Sequence, residues 1–297
     1  MTKQSSFPVI NRNMNLSIIL STFNQPQWLR LTLCGYGSQF DNDFEIVIAD
    51  DGSNDETRAL INDFKSSTSL NIKHIWHPDN GFQKCRILNR AIEAADGDYL
   101  IFSDGDCIPR EDFVEVHKKH SQKGYFLSGG FFKLPLDTSN RITEESISSG
   151  ECFGTKWLKA KGVPNTTKLL KLTRSKLLAS ILNTVTPTKR TWNGHNASCW
   201  RSDALKVNGF DERMKYGGED VEFGYRLVNS GLAAKQIRYL APCLHLDHPR
   251  GYVNEGDLSA NLAIRKSTLN DRREFTNYGI INGDNLQAPE TGLIRSV

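Results

Sequence analysis

The first 130 residues alternate between short apolar runs and stretches of helical periodicity, and this alternation constrains the fold more than any other feature. Leu16 to Leu20, Phe44 to Ala49, Asn71 to Trp76 and Tyr99 to Phe102 read as strands. Helical patterns run through Trp28, Leu29 and Leu33, through Ala59, Leu60 and Phe64, and from Gly81 to Ala95. Ser53 and Glu56 have the spacing of a helix capping box. Strands that alternate with helices predict an α/β fold, a mostly parallel central sheet flanked by helices. Ligands of such sheets sit beyond the carboxyl ends of the strands. That rule gathers Ser21 to Asn24, Asp50 to Ser53, His77 to Gly81 and Asp104 to Asp106 around one crevice.

After Phe132 the pattern changes. From Cys152 to Ser202 there is no Asp or Glu, while ten Lys or Arg residues fall in the same window. Trp157, Leu158, Leu169, Leu170, Leu172, Leu177 and Leu178 are interleaved with Lys156, Lys159, Lys161, Lys168, Lys171, Arg174 and Lys176. A basic amphipathic stretch of this kind suits the anionic inner membrane surface; the plainer alternative is a solvated helical lid packed by its leucines. Strand-like alternation resumes at Asn196 to Trp200, and a helix is expected over Glu219 to Asn229. The chain thus divides into a first α/β half (1–132), a helical basic insert (133–190), a second half where alternation resumes (191–250) and a polar tail (251–297) with no assigned structure.

Composition removes several classes. No run of eighteen apolar residues exists, which excludes a spanning helix, and the polar start from Met1 to Asn15 lacks the apolar core of a secretory signal. A net charge of +3 is too small to argue for a nucleic-acid partner. The six cysteines form no CxxC pair, so a structural zinc site has no support and reduced thiols in packed positions are expected. A cytoplasmic chain is the reading. Gly35 and Gly37 lie inside a helical pattern without a third glycine, which leaves no dinucleotide fingerprint.

The chemistry sits in acidic clusters. Asp104-Gly-Asp106 follows a strand directly, and paired carboxylates there suit Mg²⁺ or Mn²⁺ bridging the phosphates of a nucleotide. Asp50 and Asp51 end the second strand, where carboxylates accept hydrogen bonds from a base or ribose; a turn before a helix would use the same residues. Lys84, Arg86 and Arg90 at the start of the third helix are candidates to neutralise a diphosphate. Glu219 and Asp220 follow two glycines at a helix start, where a carboxylate can act as general base or merely complement the helix dipole. His245 and His248, near a strand end, are candidates to complete a metal site begun by the DxD acids.

Together these residues resemble the family two glycosyltransferases with the GT-A fold. The matching pieces are Leu16 to Asn24, Ile48 to Ser53, Asp79 to Phe82 with Arg86 and Asn89, Ser103 to Asp106, Gly217 to Asp220 and His245, in the expected order. The subgroup with Asn-Gly-Phe and Gly-Glu-Asp is similar to chondroitin-polymerase domains and to bacterial galactosyl- and hexosaminyl-type transferases of lipopolysaccharide and capsule assembly. The resemblance implies a UDP-sugar donor, a Mn²⁺ or Mg²⁺ ion, a saccharide or glycolipid acceptor and inversion at the anomeric carbon. By position, Ser21 and Asp51 would contact uridine, with Asp50 beside them. Asn80, Lys84 and Arg86 would lie along the nucleotide. Asp104 would face the ribose, Asp106 and His245 would hold the metal, Asp220 would be the catalytic base, and Glu219 would bind sugar. Tyr216 precedes two glycines where the family often has an aromatic directly before Gly-Glu-Asp, which leaves the acceptor wall open.

Two rivals differ in kind. A sugar nucleotidyltransferase should carry a glycine-rich, basic phosphate loop after the first strand, and Ser21 to Gln27 has neither glycine nor base. A nucleotide-sugar-binding protein without turnover should have lost an acid, yet Asp104, Asp106, Glu219 and Asp220 are all present. Nothing in the residues selects the sugar, the acceptor or the linkage.

Overall fold

Strand β1 (Leu16–Thr22) is buried at all seven positions, because its alternating side chains feed two separate cores. Ile18 and Leu20 pack with Ile46, Ile48 and Ile101 on one face, and Ile19 packs with Val47, Ala49 and Phe102 on the other. Strands β2 (Glu45–Asp50), β3 (Asn71–Trp76) and β4 (Tyr99–Asp104) run parallel around it. The computed structural model describes residues 14–188, 191–248 and 254–281.

A short β5 (Cys107–Pro109) precedes β6 (Tyr125–Ser128) and β7 (Gly130–Lys133), and β8 (Asn196–Trp200), β9 (Ala233–Gln236) and β10 (Pro242–His245) follow the insert. Seven strands form the main sheet in the order β3-β2-β1-β4-β8-β6-β9, and β5-β10-β7 form a smaller one. Direction reverses at β8, which is antiparallel to both β4 and β6. The antiparallel β10–β5 pair sets His245 opposite Cys107, one residue beyond Asp106. All six cysteines are free thiols, and five of them are buried.

The helices follow the expected pattern with shifted edges. The second starts at Asp55 with Asn54 as its cap, accepting from the Thr57 amide; Ser53 instead accepts from the amide of Asn24. The third runs Lys84–Ala94, so Asp79 to Phe82 form the loop before it. The helix over Glu219–Asn229 has the expected ends. The basic insert is a chain of short turns and helices ending in Lys176–Val185, held by a third core in which Phe153, Leu158, Leu169 and Leu172 meet Leu244 and Leu246. The tail contributes a helix of sixteen residues, Glu255–Asn270. Among the described residues no helix is long and apolar enough to cross a membrane.

Candidate active site

The carboxyl ends of β1 and β4 open into a cavity of about 750 Å³, within the roughly 300–1,000 Å³ that small-ligand sites occupy. Gly105 passes so close to β1 that a Cβ there would stand 3.0 Å from the Ser21 carbonyl oxygen, and its amide donates to that oxygen at 2.7 Å. This close approach fixes Asp104 and Asp106 on either side of the turn.

Asp104 accepts from Lys84 Nζ at 2.7 Å and from Ser21 Oγ at 2.6 Å. Burial opposes its ionisation, but the Lys84 ammonium and the Ser21 hydroxyl outweigh burial and hold the carboxyl well below the usual range. Burial likewise opposes the charge on Lys84, and the carboxylates of Asp104, Glu219 and Asp220 raise its pKa nonetheless. One ammonium therefore stands among three acids drawn from two distant parts of the chain. Asp51 lines the same cavity and accepts from His77 Nε2 at 2.8 Å and from the Gln83 amide at 3.0 Å. Burial pushes its carboxyl pKa up despite those bonds.

Asp106 forms a cluster with two imidazoles. Its Oδ2 lies 2.8 Å from His248 Nε2 and 3.6 Å from His245 Nε2. Gln25 Nε2 meets His248 Nδ1 at 2.9 Å and orients that ring. Asp106, His245 and Cys107 bring potential ligand atoms within 4.8 Å of one another. Burial raises the Cys107 thiol far above its ordinary value, and the thiol donates to Asp106 Oδ1; a soft sulfur is also a poor partner for Mn²⁺ or Mg²⁺. Asp106 with His245 and His248 offers one carboxylate and two imidazoles, a mixed oxygen and nitrogen donor set that a divalent ion such as Mn²⁺ can accept.

The opposite wall is the turn before the Glu219–Asn229 helix. Gly217 and Gly218 have φ of 114° and 90°, left-handed values that glycine adopts without strain. Glu219 accepts from the Gly217 amide at 2.9 Å, and Asp220 Oδ2 accepts from the Gly194 amide at 3.2 Å. Burial raises the Glu219 carboxyl, Lys84 lowers it and Asp220 raises it, with a net upward shift. Phe82 and Tyr216 line the cavity beside them, edge to face with ring centroids 5.9 Å apart.

With this geometry in view, the match to known proteins is direct. The family described as "Glycosyl transferase family 2" matches residues 17–180, and "N-terminal domain of galactosyltransferase" matches residues 184–249. The chain belongs to the family 2 glycosyltransferases. It is 28% identical over 279 residues to a chondroitin synthase of Pasteurella multocida (strain Pm70), covering 89% of this chain and 28% of that one. A chondroitin synthase of Escherichia coli is 26% identical over 268 residues, covering 86% of this chain and 38% of the relative. This glycosyltransferase thus spans less than two fifths of the length of either relative. In fold it is similar to the mannosyltransferase PcManGT from Pyrobaculum calidifontis, solved with GDP-Man and Mn²⁺, with a TM-score of 0.56, 17% identity and coverage of 82% of this chain and 60% of that one. It is similar also to GalNAc-T7, solved with UDP, GalNAc and Mn²⁺, with a TM-score of 0.56, 14% identity and coverage of 87% and 50%.

The glycosyltransferase cavity brings together Ser21, Asp51, Lys84, Asp104, Asp106, Glu219, Asp220 and His245. Three expected residues lie elsewhere. Asp50 is fully buried and turned away, accepting from the Ser53 amide at 2.8 Å and meeting His74 Nε2 at 2.8 Å, because neighbours in an extended chain point to opposite sides. Asn80 is exposed in the loop before the third helix, and Arg86 is exposed on that helix; neither lines the cavity. Asn89 joins the two halves of the chain, bonding both the amide and the carbonyl of Phe210.

Two residues gain importance. His248, a weaker candidate than His245 by sequence, makes the shorter contact to Asp106. His195 lines the cavity against the Phe131 ring at 4.4 Å, and its Nε2 is buried with no hydrogen-bond partner among the described residues. Burial pushes its imidazole down to about 4, although Asp104 and Asp220 pull the other way. Only its place in the Asn193-Gly-His-Asn196 approach to β8 could have drawn attention to it.

Proposed function

We propose that this glycosyltransferase is metal-dependent and inverting, moving a hexose or N-acetylhexosamine from a UDP-sugar to a saccharide hydroxyl during assembly of bacterial surface polysaccharide or lipopolysaccharide. The observation that carries the reading is the division of one cavity into an Asp106–His245–His248 cluster and a Glu219–Asp220 wall, with Lys84 among the acids between them. The Mn²⁺ in both fold neighbours, the UDP in one of them and the likeness to chondroitin synthases support the ion and the donor class.

Asp106, His245 and His248 would hold the ion, which when bound supplies charge neutralisation for the departing diphosphate. Ser21, Asp51 and Asp104 line the side given to the nucleoside, and Lys84 adds a fixed positive charge near the phosphates. Phe82 and Tyr216 offer flat apolar faces to a sugar ring. Asp220, oriented by the Gly194 amide, accepts the proton of the acceptor hydroxyl as that oxygen forms its bond to C1 and the C1–O bond to the diphosphate breaks from the opposite side. Residues 14–132 then serve the donor, residues 191–248 serve the acceptor, and the insert covers their junction. We place the reaction at the cytoplasmic face of the membrane, with a glycolipid as one form of acceptor.

A panel of UDP-sugars with Mn²⁺, scored by released UDP for the wild type and for Asp106→Ala, tests this reading. Release with one sugar that disappears in the variant is expected. Equal release by both proteins would overturn the metal assignment, and absence of UDP binding in calorimetry with Mn²⁺ would overturn the donor assignment.

A further inference from the structure

The helix Lys176–Val185 presents its apolar side to solvent. Ala179 is buried beneath it, and Asn183 on the same side accepts from the Tyr239 amide at 3.0 Å. The opposite side carries Leu177, Ile181 and Val185, four residues apart and 74%, 48% and 63% exposed. Leu178 of the same helix and Leu170 of the turn before it are exposed as well. An ordinary surface helix turns such a stripe inward, and a contiguous exposed stripe marks a docking surface.

From Cys152 to Ser202, the stretch of sequence that contains the stripe, every charged side chain is basic. Exposed Lys156, Lys159, Lys168 and Lys176 make no ion pair among the described residues. Arg174 is different: it is paired with Glu111, the acid that reaches this region from the donor half. Glu151, at the start of the insert, is the other nearby acid in sequence, and Lys171 is committed to the carbonyl of Phe131 at 3.0 Å.

We propose that this helix docks the protein on an anionic lipid bilayer, with Leu177, Ile181 and Val185 entering the boundary between headgroups and acyl chains and the four lysines contacting lipid phosphates. An apolar stripe flanked by lysines is the chemistry of a helix that lies in a membrane interface. A protein partner would need the apolar stripe but gives no reason for an acid-free surround over fifty residues of sequence. Docking also has a use at the site. Lys171 joins the turn before this helix to Phe131, whose ring lines the cavity, so a lipid-borne acceptor would arrive beside the catalytic wall. That use rests on the transferase reading, whereas the lipid contact does not.

The test is flotation of the full chain with vesicles of phosphatidylcholine alone or mixed with phosphatidylglycerol, alongside light scattering of the free protein. Binding to the mixed vesicles and not to phosphatidylcholine alone is expected, weakening as salt is raised. The triple variant Leu177→Asn, Ile181→Asn, Val185→Asn should bind about tenfold or more weakly while retaining its circular dichroism and UDP binding. Lys168→Gln with Lys176→Gln should weaken binding and flatten its salt dependence. No binding to anionic vesicles, or unchanged binding by the triple variant, overturns the proposal. So does a wild-type dimer that the triple variant dissociates without any vesicle binding, since a second copy would then cover the stripe.

Discussion

Asn261 donates its side-chain amide to the carbonyl oxygen of Gly217 at 3.2 Å, so the C-terminal helix holds the turn that carries Glu219 and Asp220. The same amide group reaches the carbonyls of Lys215 at 2.8 Å and Tyr216 at 3.2 Å, and Leu258 and Arg265 of that helix close over the two glycines.

Asn261→Ala should therefore lower kcat while leaving UDP affinity within a few-fold of wild type. Leaving those carbonyls short of a donor should also cost about 1–3 kcal/mol of stability. Steady-state kinetics, UDP titration and urea unfolding of the variant provide the check; a loss of UDP affinity equal to the loss of turnover would contradict it.

Asp220→Asn keeps the shape of the side chain and removes its basicity. UDP and UDP-sugar binding should survive and transfer should fall by about 10²–10⁴-fold. Wild-type turnover in this variant would sink the assignment of the base.

EDTA should abolish transfer and Mn²⁺ should restore it. His248→Ala should weaken Mn²⁺ binding at least as much as His245→Ala, because His248 is the nearer imidazole to Asp106. Calorimetric titration of Mn²⁺ in the presence of UDP measures both. Cys107→Ser should leave Mn²⁺ affinity within a few-fold, since the thiol is turned to Asp106 Oδ1 and a soft sulfur adds little to a Mn²⁺ site.

Stability should fall in mild acid for a reason remote from catalysis. His117 is fully buried, with Nδ1 at 2.8 Å from Ser198 Oγ and Nε2 at 3.0 Å from Asn196 Oδ1, and burial pushes its imidazole down to about 3. Below about pH 6.5 the unfolded chain takes up a proton that the folded chain refuses, so stability drops as pH falls from there toward about 3, by up to about 1.4 kcal/mol per pH unit. His120, lowered to about 4 by burial and by Lys235 and Lys119, adds to the same slope. His117→Gln should reduce the slope by about one proton, measured as urea stability at about pH 7 and about pH 5. An unchanged slope would remove His117 as its source.

Much of this was legible in the sequence because the informative signals are local. Ile18, Ile48 and Ile101 sit in short apolar runs bounded by turn residues, and the acids that follow those runs fall at one rim of the sheet. What escaped depends on phase or on distant contacts. Asp50 and Asp51 are equivalent as letters, and only where β2 ends and which partners each meets decide that Asp51, one residue past the strand, faces the cavity. His248 lies beyond the end of β10, and its contact with Asp106 requires the chain after that strand to continue past Cys107, where the Leu246 amide donates to the Asp106 carbonyl at 2.9 Å. The helix Glu255–Asn270 buries only Asn261 and Thr268, two polar residues, so hydrophobic periodicity had nothing to detect.

The chain leaves the main sheet after Ser128 and re-enters it at Asn196, and the Gly129 amide donates to the Asn196 carbonyl at 2.8 Å. Exit and re-entry are thus stitched at one point, and between Leu134 and Thr191 the polypeptide is an excursion whose ends already touch. Doubling the length of such an excursion adds only about 0.6 kcal/mol of closure cost. Asp104, Asp106 and Asp220 lie outside it, so a change in the length or sequence of the excursion leaves the acids of the cavity in place.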